Sequence, residues 1–357
     1  MCCCGSRMQG QAVHRTDQLQ LEQPMVSFLH DEKPHQTTFK RESGFFSGPA
    51  REDGHYRRKD RPFCVPIDHA EENLFPEIRD AAMAFFSAKG IRWHDGQNDK
   101  PSNHLCDSQA CCVNFLFSFA DRPEALAALL RPLFPELRRA VPFEKDTFVT
   151  FEWIGEQDYL RENRHEGSRR TRGAHFTSAD AVVAFERDDG RKQVVLIEWK
   201  YTESYGVAPL KTSRRGTDRM AIYKPLFDRA DCPIDKQRLP SFESLFYEPF
   251  YQLMRQQFLA KEMERARESE ADIVSLLHVA PSGNNDFHRV TSPELKSLGD
   301  TATGVWKRLV KTPGRFLSVS TEELFGPLLA EPPAGMRGWA DYLTERYRWV
   351  TGTAEPS

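Results

Sequence analysis

The apolar positions of the chain change spacing several times, and each change predicts an element. Through residue 62, Gln, His, Arg, Asp and Glu dominate and the few apolar residues show no period, so residues 1–62 are expected to form a mobile polar leader with no fold of its own. From residue 74 the pattern turns helical. Leu74, Ile78, Ala81, Ala82 and Phe85 share one face, Pro76 suits a first turn and Gly90 a helix end. Two more helices are predicted, one running from an Asp107 N-cap through "DSQACCVNFLFSFA" and one from an Asp121 cap with Pro123 in its first turn. Residues 63–141 therefore read as a helical N-terminal part packed on whatever follows.

After Pro142 the apolar residues alternate as in strands: "TFVTFEWI" (147–154), "DAVVAFE" (180–186), "QVVLIEWKY" (193–201) and "DIVSLLHVA" (272–280). A long helix starting near Pro249 stands between the last two. A further strand, "RFLSVS", leads into a helix through Ser320 and Glu323, which have the spacing of a capping box. Strands, a crossover helix and more strands predict an α/β fold with a central mixed sheet flanked by helices, occupying residues 142–330. Residues 331–357 add a C-terminal helix and tail. Its apolar positions, Trp339, Tyr342, Leu343, Tyr347 and Val350, suit either the core or a partner, and the pattern does not choose.

One strand carries charge where a core strand should not. In "VVLIEWKY", Glu198 and Lys200 share a face with Val194 and Leu196, while Val195, Ile197, Trp199 and Tyr201 take the other. Both faces are mostly apolar, as in a strand covered on both sides, and an ionised pair there is costly unless compensated. The preceding strand ends in "RDDGRK". A three-residue loop of Asp188, Asp189 and Gly190, with the glycine left-handed, pairs Arg187 with Arg191 and puts Asp180 opposite Glu198. Two adjacent carboxylates and one ammonium fit a hard divalent cation with a phosphate, since Mg²⁺ is commonly held by one or two carboxylates. Glu-x-Lys alone is unspecific: Glu294 with Lys296 and Asp31 with Lys33 repeat the spacing outside any buried strand.

Composition changes this picture little. The chain has 357 residues and a net charge of -3, so any phosphate binding must come from local basic patches. Its eight cysteines, three of them adjacent at Cys2 to Cys4, show no repeated metal-ligand spacing. No apolar run is long enough to span a bilayer and the start lacks a secretory signal, so no membrane partner and a cytoplasmic location are expected.

The stretch "SADAVVAFERDDGRKQVVLIEWKYTESY" resembles the active-site hairpin of the PD-(D/E)xK nuclease superfamily. The run "TSAD" followed by "LIEWKYTESY" is similar, more closely, to a family of bacterial restriction-endonuclease-like proteins. The clear match spans residues 148 to 205, with Ala179 where the superfamily motif has proline. The resemblance implies a restriction-endonuclease-like core and metal-dependent hydrolysis of DNA phosphodiesters, of a restriction or defence type. It casts Asp180, Glu198 and Lys200 as catalytic, with Asp180 and Glu198 holding Mg²⁺, for which Mn²⁺ substitutes. Glu162 is the candidate for an additional metal-site acid, in competition with Glu152 and Glu156. Two basic loops flank the triad, and Arg169, Arg170, Arg172, Arg214 and Arg215 in them are candidate phosphate contacts. Gln252 and Arg255 on the long helix form a polar row with Gln256 that could face the site. His165 and His175 are not needed by such a mechanism. Two-strand cleavage by a single site points to a homodimer, although no stretch identifies a symmetric interface. Two other readings stay open: a catalytically silent nucleic-acid-binding protein of the same fold, and an unrelated α/β protein whose acids form an ion network.

Overall fold

The computed structural model describes residues 27–163, 170–174, 176–213 and 216–352. Helix α1 (Phe28–Glu42) comes first, then a hairpin of β1 (Gly54–Tyr56) and β2 (Lys59–Arg61). Helices α2 (Arg79–Lys89), α3 (Ser108–Leu116) and α4 (Pro123–Leu130) lead to the sheet. Their ends are set largely as the sequence implies. Gly90 closes α2 in the left-handed region at φ +61°, and the Asp107 carboxylate accepts the Ala110 N–H at the start of α3. Asp121 does not cap α4: Arg122 takes the cap position, no side chain bonds there, and Pro123 supplies the first-turn geometry.

The main sheet has six strands, with β3 (Leu137–Val141) and β4 (Val149–Trp153) lying along the outer edge of β5 (Ala179–Arg187). β5 is antiparallel to β6 (Lys192–Trp199), which runs parallel to β7 (Ile273–Ala280), and β7 runs parallel to β8 (Phe316–Ser320). Helices α5 (Arg219–Asp228) and α6 (Phe250–Ala266) join β6 to β7, and α7 (Asn285–His288) and α8 (Ala302–Leu309) join β7 to β8. The chain ends on α9 (Thr321–Ala330), opened by the Ser320–Glu323 capping box, and α10 (Arg337–Arg346). This is a mixed central sheet with helices on both faces.

The faces sort by residue parity. Val182, Ala184, Val194 and Leu196 pack with α6 and α8, whereas Val183, Phe185, Val195, Ile197 and Trp199 pack with α3, α4, α9 and α10. The hairpin turn is the expected one: Arg187 N–H donates to Arg191 O at 2.9 Å, and Gly190 has φ +81°. The C-terminal residues Trp339, Tyr342, Leu343, Tyr347 and Val350 all join the core, which settles the choice their pattern left open.

Residues 28–62 depart from the expected leader. α1 is ordered although its sequence is polar: Phe39 packs on Phe46 and Tyr342, and its other buried side chains dock by hydrogen bonds. Lys40 Nζ donates to the carbonyls of Glu52 (2.7 Å) and Cys64 (2.8 Å), and Gln36 Nε2 to Tyr201 Oη (3.1 Å) and Arg346 O (3.0 Å). The Tyr201 hydroxyl donates to Glu32. Arg346, fully buried, donates in turn to Gln36 Oε1, Asn73 O and Leu105 O. A search for apolar periodicity cannot register a helix held in this way.

Candidate active site

Charge gathers at one end of β5 and β6. Their register pairs Ala181 with Ile197, and one step further sets Asp180 beside Glu198, on the face that carries Val194 and Leu196. Lys200 Nζ lies 2.5 Å from Glu198 Oε1. From α6, the Gln256 amide donates to the other Glu198 oxygen and to Ser178 O at 3.0 Å, while its own Oε1 is buried with no partner. Asp180 Oδ2 accepts the Trp199 N–H at 2.7 Å. A third acid comes from β4, where Glu152 has φ +50° and interrupts the pairing with β5 between Phe151 and Trp153. Gln109 Nε2 (2.7 Å) and Ser178 Oγ (2.9 Å) donate to its carboxylate.

Burial pushes the Asp180 carboxyl well above the usual range, and the neighbouring Glu198 charge adds to it. Burial also raises Glu152, against the hydrogen bonds from Gln109 and Ser178. For Lys200 burial works the other way, but the adjacent Glu198 carboxylate and the acids around it hold its ammonium well above the ordinary lysine value. The Asp180 and Glu198 carboxyls thus share one ammonium, and Glu152 adds a third carboxyl beside them in a mostly buried place.

The other sequence candidates are distributed differently. Gln252 lines the cleft in front of the triad and accepts the Tyr205 hydroxyl at 3.3 Å. Glu162 is spent elsewhere: it accepts from Thr177 N–H and Oγ1 (2.7 and 2.5 Å) and from Tyr223 Oη (2.7 Å), so it ties the approach to β5 onto α5. Arg255 lies over the Tyr251 ring at 4.6 Å and reaches Thr177 Oγ1. Arg170 donates to the carbonyls of Ile154 and Gly155, and Arg172 to Phe151 O, Thr150 Oγ1 (2.7 Å) and Glu144 Oε2 (3.1 Å). These arginines satisfy carbonyls along and just beyond β4, whose backbone needs donors wherever it leaves the ladder. Arg169, Arg214 and Arg215, like His165, His175 and Cys2 to Cys4, lie outside the described residues.

In front of the triad opens a cleft of about 840 Å³. Asp180, Lys200 and Glu152 line it from the sheet, and the N-terminal part contributes Lys33 of α1, Arg57 and Arg61 of the β1–β2 hairpin, His94, and the acids Asp95 and Asp107. Sequence reasoning missed this N-terminal wall, and the only signal for it was the basic run "HYRRKDR" inside the supposed leader. His278 was missed as well. It pairs in register with Glu198, is fully buried, and its Nδ1 lies 3.2 Å from Ser318 Oγ. Burial holds it neutral, with the Lys200 charge acting in the same direction.

The donors suit a hard cation. Asp180 and Glu198 offer carboxylate oxygens, and the unpartnered Gln256 Oε1 is a further buried oxygen beside them. Among the described residues no three His, Cys, Asp or Glu side chains stand in coordinating geometry, so such an ion would complete its shell with water and phosphate oxygens. No helix among those residues is long and apolar enough to cross a membrane. No curated protein and no solved structure matches the chain. A family model described as restriction endonuclease associating with ARP matches residues 33–348, spanning the N-terminal wall, the sheet with its charged end and α10. The chain therefore belongs to this restriction-endonuclease family, REase-ARP, and its mixed sheet flanked by helices is consistent with a restriction-endonuclease-like α/β core.

Proposed function

We propose that the protein is a metal-dependent nuclease that hydrolyses phosphodiester bonds in DNA, in a restriction or other defence role. The observation that carries this reading is the convergence of Asp180, Glu198 and Lys200 at one sheet end, beside a cleft that Asp180 and Lys200 line together with Lys33, Arg57 and Arg61. Asp180 and Glu198 would hold Mg²⁺ or Mn²⁺, which when bound neutralises phosphate charge and makes water a better nucleophile. Lys200, kept protonated by Glu198, is placed to hold an attacking water or to stabilise the negative charge that builds on the phosphorus oxygens. Gln256 fixes the Glu198 carboxylate, and Glu152 with Ser178 stands behind Asp180. The mechanism requires no histidine.

Plasmid cleavage by the full chain with Mg²⁺, with Mn²⁺ and with EDTA tests the reading. Cleavage should depend on the metal and fall at least about a hundredfold in Asp180→Asn, Glu198→Gln and Lys200→Ala. Mg²⁺ should also raise the melting temperature of the wild type and not of Asp180→Asn, a readout independent of turnover. A wild type that binds DNA and ignores metal in both assays would instead be the silent binding protein.

A further inference from the structure

The β1–β2 hairpin is built as an arm. Its base is clamped: Gly54 N–H donates to Cys64 O at 3.0 Å, and a Cβ at Gly54 would fall 2.0 Å from Val65 O, so only glycine fits there. Asn103 Nδ2 donates to His55 O and Val65 O, and Lys40 holds Cys64 O from below. The other end is tethered at the surface, where Tyr56 Oη donates to Asp95 at 2.6 Å. Tyr56 pairs with Lys59, which leaves Arg57 and Arg58 as a two-residue turn with φ +46° and +69°. Such a turn normally takes Asn-Gly, because both positions are left-handed. Two exposed arginines occupy it instead, against local preference.

Surface contacts account for Arg57 only in part, and for Arg58 not at all: the Arg57 guanidinium lies 5.1 Å from the Tyr56 ring centre. Arg57, 74% exposed, makes one surface ion pair with Asp95 at 3.1 Å, and among the described residues Arg58, Lys59 and Arg61 have no acidic partner. Arg57 and Arg61 line the same cleft as Asp180 and Lys200, together with Lys33, whose ammonium lies 5.1 Å from the Phe63 ring. In a chain with net charge -3, these cations line one cleft with Asp180 and Lys200, and Asp95 and Asp107 stand among them. Phosphate contacts from arginine supply affinity without sequence information and hold the duplex in register.

We propose that the Arg57–Arg58 tip and Arg61 grip the DNA backbone at this cleft, so that the hairpin seats the scissile phosphate against Asp180 and Lys200. The inference rests on the nuclease reading above and adds to it the element that binds substrate. The probe is a fluorescent 20-base-pair duplex titrated with full-length Asp180→Asn protein, which leaves the DNA uncut, over a range of salt concentrations. Adding Arg57→Asn with Arg58→Gly installs the preferred turn chemistry and should leave the melting temperature equal or higher. Affinity should fall about ten- to a hundredfold and the slope of log K against log salt should flatten by about 2, one unit per phosphate contact. The pair Arg57→Lys with Arg58→Lys should restore most of both. An unchanged slope in the Asn-Gly protein, a drop in its melting temperature, or equal weakness in the Lys-Lys protein would overturn the arm while leaving DNA binding by the parent intact. A parent that binds no duplex would overturn both the arm and the nuclease reading.

Discussion

At the scale of single residues, the triad lies where its alternation and the hairpin loop place it, and the acid found beside it is Glu152, while Glu162, favoured by position, bonds elsewhere. Glu162 and Glu152 are both glutamates in plausible places, and only their partners separate them: Glu162 meets Thr177 and Tyr223, whereas Glu152 shares Ser178 with the loop that leads to Asp180. Glu152→Gln should therefore cost about 10–100-fold in metal affinity or cleavage, while Glu162→Gln should leave cleavage near wild type and lower the melting temperature. Repeating the metal titration on both variants checks this. His104 gives a pH prediction. Burial lowers its pKa to about 4, its Nδ1 accepts the Cys106 N–H at 3.1 Å, and its ring sits edge-on to Tyr56 and Phe63. The unfolded chain takes up this proton near pH 6.5 and the folded chain only near pH 4, so the unfolded state binds more protons in between and stability falls as pH drops through that window. The loss is up to about 3 kcal/mol, and urea melts of His104→Gln, which keeps an acceptor, should show a flatter slope from pH 6.5 to 4.

At the scale of elements, α1 shows how a polar sequence becomes structural. Beside the Phe39–Tyr342 ring contact, it is held to α10 by Arg346, whose guanidinium meets acceptors from Gln36, Asn73 and Leu105. Replacing it by methionine keeps the bulk and strands those acceptors in a dry interior. Arg346→Met should destabilise the protein by at least about 3 kcal/mol, measured as a shift in denaturation midpoint, with cleavage by the remaining folded protein lowered because α1 carries Lys33 of the cleft wall. The strands β4, β5, β6, β7 and β8 and the helices α2, α3, α6, α9 and α10 were legible in the sequence, since each buries an apolar face with its own period. The helix α1 and the short strands β1 and β2 were not, because buried hydrogen bonds, a single core phenylalanine and a glycine contact hold them in place.

At the scale of the whole molecule, the two ends of the described chain meet around the charged strand. Tyr201, next to Lys200, receives Gln36 of α1, donates to Glu32 and stacks edge-on with Tyr347 beyond α10. The residues expected to form the core, 142–330, therefore lack by themselves both the N-terminal lining of the cleft and part of one apolar face. Ending the chain at residue 331 removes Trp339, Tyr342, Leu343, Tyr347 and Val350 from that face, on the order of 10 kcal/mol of burial, comparable to the entire stability of a domain. The shortened protein should be insoluble or molten, as near-ultraviolet circular dichroism and sedimentation would report.

The sequence by itself determined the mixed sheet, the parity of its faces, the three-residue hairpin and the opposition of Asp180 and Glu198. All of these follow from local spacing, which a strand's two-residue period and a helix's turn translate directly into direction. Tertiary structure alone decided which glutamate stands behind Asp180, that Arg170 and Arg172 serve carbonyls along β4 and at its end, and that a polar N-terminal segment walls the cleft. Those outcomes depend on partners distant in the chain, and a hydrogen-bonding side chain carries no mark in the sequence of the acceptor it will meet.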